Sequence, residues 1–223
     1  SDKIVALHQF KDFIFVFGER HTKIWTDRGL ATNPFQLDPT LVIEYGCLNK
    51  ESVASGFGIM AWLAVSEDSN TTIVATTGGE PEPIATDGID FRLSQLENPT
   101  DCSAFIFQED GHIFYQMTWK SDNLTLVYDF TSKSFLYATD ENENYHIAKK
   151  VVQFGGNYYF ISFTDTAIYK MGSVYTNYDG SIIPRSRITP PLKNPNYDYL
   201  RVDYLDVIAE QGAANDAMYI DLS

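Results

Sequence analysis

Apolar and polar residues alternate with period two in short bursts along most of this chain, and the bursts are rich in β-branched and aromatic side chains. That period marks half-buried β-strands. The first set runs Ile4–His8, Phe13–Phe17 and Thr22–Trp25, with Lys11-Asp12 and Gly18-Glu19-Arg20 between them. Strands so close together, joined by turn formers, predict an antiparallel meander. The unit recurs as Ser52–Ser55, Ile59–Val65 and Thr72–Thr76, then as Ala104–Phe107, His112–Met117 and Leu124–Tyr128. A fourth copy is Lys150–Phe154, Tyr158–Phe163 and Ala167–Tyr169, turning at Gly155-Gly156 and Thr164-Asp165.

The first turns of the four units fall at Asp12, Gly58, Gly111 and Gly156, spaced by 46, 53 and 45 residues. That is the length of one blade of four short strands, so the repeat predicts an all-β, propeller-like fold of about four blades. The alternative is a β-sandwich or barrel with evenly spaced hairpins. No stretch of a dozen residues holds apolar positions at i, i+3, i+4 and i+7, so helices are not expected.

A breaker-rich stretch from Pro184 to Pro195 follows the fourth unit and predicts a boundary. Residues 1–192 then form the blades, and 193–223 a hairpin leading into a further β region. Its strands are Tyr199–Ile208 and Ala217–Leu222, with Gln211-Gly212 as the turn. The second strand runs to the chain end, which reads as a truncated piece of a larger propeller protein.

Composition narrows the picture. With 44% apolar residues in 223, the chain can bury a full core. Thirty Asp and Glu against sixteen Lys and Arg give a net charge of −14, which repels phosphate and argues against tight nucleic-acid binding. No apolar run is long enough to cross a bilayer and no leader pattern opens the sequence, so no membrane anchor is predicted. Cys47 and Cys102 lie in apolar surroundings without CxxC or His pairing and read as buried thiols. Asn70-Thr71-Thr72 and Asn123-Leu124-Thr125 match a glycosylation triplet, a pattern common by chance.

The search for catalytic chemistry yields no site. His8, His21, His112 and His146 show no metal-ligand spacing. Asp140-Glu141-Asn142-Glu143-Asn144 copies the opening of a calcium loop, but Tyr145 stands where the turn needs Gly and Val151 where bidentate ligation needs Glu. Ser55 lacks a GxSxG elbow and has no evident base in the sequence around it. Ser66–Asn70 lacks the Gly and Trp of a sialidase-type box, and the paired glycines lack the lysine of a phosphate loop. The 15 Phe, 14 Tyr and 3 Trp could stack bases, but most occupy alternating strand positions where packing accounts for them. The expectation is a protein that is not an enzyme, with no catalytic, cofactor or metal residues and no cofactor.

Several strings resemble one family. Phe10–Gly18 followed by Lys23-Ile24-Trp25 is similar to the blade opening of packaged-DNA stabilisation proteins of short-tailed phages. Pro83–Asp90 resembles that family's "PIAT, two residues, I, acid" segment, and Thr125–Phe130 its "LVYD" strand. Leu200–Val207 with Gly212 resembles the strand leading to its C-terminal β region. Each string is weak alone; their order and spacing carry the likeness, which spans nearly the whole chain. Family members are about twice as long, which agrees with a piece of a larger propeller.

The resemblance implies a tail accessory or hub protein at the head–tail junction, made in the bacterial host cytoplasm and residing in the virion tail. It implies a homo-oligomer of six copies below the portal and adaptor proteins, in contact with tail needle and tailspike proteins. Such a hub extends the DNA channel and stabilises the packaged genome through protein–protein contacts. Two rival readings are a glycan-binding or glycan-cleaving propeller, expected to show aromatics beside paired carboxylates in one cleft, and a kelch- or WD40-like interaction scaffold.

Overall fold

A computed structural model describes residues 2–182 apart from 67, 176 and 179, together with residues 186 and 204. The chain divides into two units, Ser1–Pro184 and Arg185–Ser223. Only the first is described below; the hairpin expected over 193–223 lies outside the described residues apart from Tyr204.

The meanders form as separate antiparallel sheets in chain order. Blade 1 is β1 (Ile4–Phe10), β2 (Phe13–Gly18), β3 (Thr22–Asp27) and β4 (Phe35–Ile43). Blade 2 is β5 (Gly46–Cys47), β6 (Ala54–Gly56), β7 (Ile59–Val65), β8 (Thr71–Thr76) and β9 (Glu82–Pro83). Blade 3 is β10 (Cys102–Glu109), β11 (His112–Trp119), β12 (Leu124–Asp129) and β13 (Ser134–Tyr137). Blade 4 has three described strands, β14 (Ala148–Phe154), β15 (Asn157–Ser162) and β16 (Ile168–Met171), and the short hairpin β17 (Asn177–Tyr178) with β18 (Ser181–Ile182) follows. Among the described residues no sheet closes on itself.

Turn chemistry sets this register. Between the first and second long strands of blades 2, 3 and 4, both turn residues have positive φ: Phe57-Gly58 (53° and 77°), Asp110-Gly111 (48° and 83°) and Gly155-Gly156 (56° and 77°). Two such residues make the primed turn whose twist matches paired strands, and glycine at the second place relieves the Cβ clash.

Three details differ from the sequence expectation. Ser52 is not in a strand: a 3₁₀ turn at Lys50–Ser52 splits the innermost strand of blade 2 into β5 and β6, which pair the two halves of β7. The Asn49 side chain caps that turn, and the Ser52 hydroxyl accepts the Leu63 N–H that an unbroken strand would have taken. An eight-residue helix, α1 (Asp87–Ser94), follows blade 2 and buries only Ile89 and Leu93. Fourth strands exist in blades 1 to 3, where the alternation predicts three.

Blades stack face to face. Strand β7 sends Met60, Trp62 and Ala64 toward blade 1, where Phe15, Phe17 and Ile24 meet them, and Ala61 and Leu63 toward blade 3. On β10, Cys102, Ala104 and Ile106 pack toward blade 2, while Phe105 and Phe107 join Phe160 of blade 4. Burial on both faces explains why Ile59–Val65 and Cys102–Phe107 read as near-continuous apolar runs. The first strands also neighbour one another: β1 the 3₁₀ turn, that turn and β6 strand β10, and β10 strand β14.

One close approach is stringent. A Cβ on Gly46 would press on the Glu19 carbonyl of blade 1 and stand 2.6 Å from Arg20 N, both rigid backbone. Gly46→Ala is therefore expected to destabilise the protein by roughly 1–3 kcal/mol, read as a lower urea midpoint at unchanged m-value.

Candidate functional site

Polar side chains cluster where first strands meet. Lys150 of β14 donates to the Ala104 carbonyl of blade 3 and the Glu51 carbonyl of blade 2, each at 3.0 Å, and pairs with the Glu51 carboxylate at 3.3 Å. The Asn49 amide donates to Thr100 O (2.9 Å) and Cys102 O (2.6 Å), and the Tyr115 hydroxyl to Ser52 O (2.6 Å). These bonds satisfy backbone carbonyls on the inner edges of the blades, and they tie three blades together. The surface ion pair adds little by itself. Lys150→Met is expected to cost roughly 1–2 kcal/mol, mostly through the two carbonyls left without a donor, again readable by urea unfolding.

The structure gives Ser55 the partner that its sequence neighbourhood lacks. His8 Nε2 on β1 lies 2.8 Å from Ser55 Oγ on β6. Burial holds the His8 pKa below its ordinary value. Among the described residues no carboxylate is hydrogen-bonded to His8, so the pair is an inter-blade link lacking the orienting acid of a triad. A cleft of about 460 Å³ opens beside it, lined by Ile4–His8, Lys50, Glu51 and Val53.

The other sequence candidates are dispersed. His112 Nδ1 lies 2.7 Å from Asp129 Oδ2 on the neighbouring strand β12, and Ser132 Oγ donates to the same oxygen at 2.6 Å. Burial opposes ionisation of Asp129, but the Ser132 and His112 bonds and the Thr131 and Ser132 amides together hold its pKa below the usual carboxylate value. His21 lies 3.1 Å from Glu44. In the calcium-like string, Asp140 accepts from the Asn142 and Asn144 amides at 2.8 Å, so its carboxylate serves its own turn. Among the described residues, no group of three His, Cys, Asp or Glu is placed to hold a metal ion.

His146 is half-buried between blades 3 and 4. Its Nδ1 accepts from the Gln116 side chain (3.1 Å) and the Ala148 amide (3.2 Å), which puts the ring proton on Nε2, and the ring packs against Phe160 and Tyr178. Desolvation lowers its pKa to about 4, against a small opposing pull from Asp140. Nearby, a cleft of about 340 Å³ gathers Asp140, Glu141, Asp165, Tyr169 and Tyr178. Cys47 and Cys102 are both buried and free; burial pushes the Cys47 thiol up to about 11 and Cys102 higher still.

Exposed apolar residues also gather on two blades. Among the described residues, blades 2 and 3 pack against neighbours on both faces, and the outward faces of blades 1 and 4 carry exposed apolar side chains. Leu7, Leu37 and Val42 of blade 1 are 66%, 37% and 47% exposed, and Val152, Phe154 and Ile168 of blade 4 are 61%, 76% and 71% exposed. Among the described residues no helix is long and apolar enough to cross a membrane.

Four antiparallel meanders stacked in chain order, with first strands adjoining, define a β-propeller-like module. A family model described as bacteriophage P22 Gp10, beta-propeller, matches residues 1–176, and the chain belongs to this family of phage packaged-DNA stabilisation proteins. It is a phage structural protein. No curated protein matches the chain.

Proposed function

We propose that this chain is a propeller module of a phage tail hub at the head–tail junction, where it extends the DNA channel and helps retain the packaged genome through protein–protein contacts. Its partners on this reading are the portal and adaptor proteins, the tail needle, the tailspikes and further copies of itself. The observation that carries the reading, beside family membership, is the pair of blade faces with exposed apolar side chains, which are surfaces for protein and not for DNA. The net charge of −14 supports a wall along which DNA slides without adhering.

Cryo-electron microscopy of particles carrying the tagged protein tests the assignment. Density at the head–tail junction, with genome loss from particles that lack the protein, is the expected result. Density at a distal fibre, or full genome retention without it, overturns the reading, and a channel lined by Lys and Arg overturns the sliding-wall part. One observation favours a second reading: the cleft at Asp140, Glu141 and Asp165 sets tyrosines beside carboxylates, as a glycan site would. A glycan array separates the two.

A further inference from the structure

A cavity of about 300 Å³ lies among blade 4, the residues that lead into it and the segment that follows, with His146, Phe160, Tyr169, Tyr175, Asn177 and Tyr178 in its lining. Its size is at the lower end of the range for ligand sites, and its lining has their character, mostly rings with a few polar groups. Tyr169 stacks on Phe160 with ring centroids 5.2 Å apart, and the His146 ring lies 5.9 Å from both Phe160 and Tyr178. Tyr175 is 42% exposed, with the Lys170 ammonium 6.0 Å over its face.

Two polar groups of the lining keep unused bonding capacity. His146 Nδ1 is taken by the Gln116 side chain and the Ala148 amide, so the ring proton stands on Nε2, and among the described residues nothing accepts it. Asn177 Oδ1 accepts the Gly180 amide at 3.2 Å. A carbonyl oxygen has two lone pairs, so it can take a second donor.

We propose that this cavity is a recognition site for a phenol ring and that its occupant is a tyrosine side chain of a partner protein. A ring entering among these rings gains face and edge contacts that an aliphatic chain does not. The phenol oxygen accepts the His146 Nε2–H, and its O–H donates to Asn177 Oδ1. Other rings fit less well. A phenylalanine ring leaves the histidine donor unpaired. A nucleobase brings its phosphate beside the adjoining cleft, which shares Tyr169 and Tyr178 with the cavity and gathers Asp140, Glu141 and Asp165. The proposal rests on the reading of the chain as a structural module that works through protein contacts.

The test is an amide NMR titration of the purified chain with four probes: N-acetyltyrosinamide, N-acetylphenylalaninamide, p-cresol and thymidine monophosphate. Millimolar binding of N-acetyltyrosinamide and p-cresol is expected, as befits small fragments, with shifts concentrated at the Ala148, Gly172 and Asn177 amides. The phenylalanine compound is expected to bind roughly three- to tenfold more weakly. Tyr175→Ala, at a partly exposed ring, is expected to weaken N-acetyltyrosinamide binding by about fivefold while the urea midpoint stays close to wild type. His146→Asn removes the Nε2 donor and is expected to erase the preference for the phenol. Absence of shifts at these amides overturns the proposal, as does equal binding of the tyrosine and phenylalanine compounds by the wild type. Tighter binding of thymidine monophosphate, or unchanged binding by Tyr175→Ala, overturns it as well. Binding of p-cresol with N-acetyltyrosinamide excluded assigns the cavity to free phenols and overturns the protein source. All of these are read on the isolated chain, whereas the hub reading is decided by the position of the protein in the particle, so the two fail separately.

Discussion

Trp62→Ala is expected to remove about 3–5 kcal/mol of stability, the largest loss from any single substitution considered for this protein. The indole is fully buried between blades 1 and 2, edge-on to Phe17 with ring centroids 5.2 Å apart. Its Nε1–H donates to the Gly46 carbonyl at 3.1 Å, so truncation leaves both a cavity and a buried acceptor without a donor. Met60, Ala64 and Val74 line the same interface on strands held by hydrogen bonds, and they cannot collapse far into the space. Whole domains are stable by only about 5–15 kcal/mol, so a loss of this size is a large part of the total. Urea unfolding gives the number. Trp62→Phe keeps most of the apolar contact and loses the donor, and is expected to cost roughly 1–3 kcal/mol. A loss under about 1 kcal/mol for the alanine variant would show that this interface is loosely packed.

The second large effect is acid sensitivity centred on His146. Its pKa is about 4 in the folded protein, while an unfolded histidine titrates near 6.5. Between those values the unfolded chain binds the extra proton, so stability falls as pH drops from about 6.5 to about 4 and is flat with respect to this group above that window. The shift corresponds to on the order of 3 kcal/mol. Protonation of Nδ1 also turns an acceptor into a donor facing two N–H groups, from Gln116 and Ala148, which loosens the joint between blades 3 and 4.

Carboxylates such as Asp2 and Asp129, whose pKa values are lowered, contribute stability that is lost only at lower pH. His8 is lowered too and acts in the same direction as His146. His146→Asn supplies a non-titrating acceptor near the position of Nδ1 and is expected to flatten most of the slope between pH 6.5 and 4. The check is urea unfolding of both proteins across that range; parallel slopes would assign the acid sensitivity elsewhere.

What was legible in the sequence follows from periodicity and turn chemistry. The long strands of all four blades were readable because alternation and Gly-centred turns are local properties, decided within a few residues. Strands β4, β9 and β13 were not. Pro39 and Pro83 interrupt two of them, and β13 is mostly exposed, so the alternation that reports a buried face is missing. Helix α1 escaped because eight residues with two buried positions, Ile89 and Leu93, carry too little periodic signal. The polar links hid for a different reason: their partners are one blade apart. His8 and Ser55 are separated by 47 residues, Ser103 and Lys149 by 46, and Ala104 and Lys150 by 46. The blade period itself was the signal that could have paired them.

Sequence alone determined the all-β class, the blade repeat, the buried thiols and the family likeness, because strand period, turn residues and motif order need no long-range information. Tertiary structure decided which face of each strand meets which neighbour. From that came the double burial of blades 2 and 3, the histidine whose pKa falls to about 4, and the exposed apolar side chains on blades 1 and 4. An alternating strand has an apolar side whether it is covered or bare; only the position of the next sheet settles which.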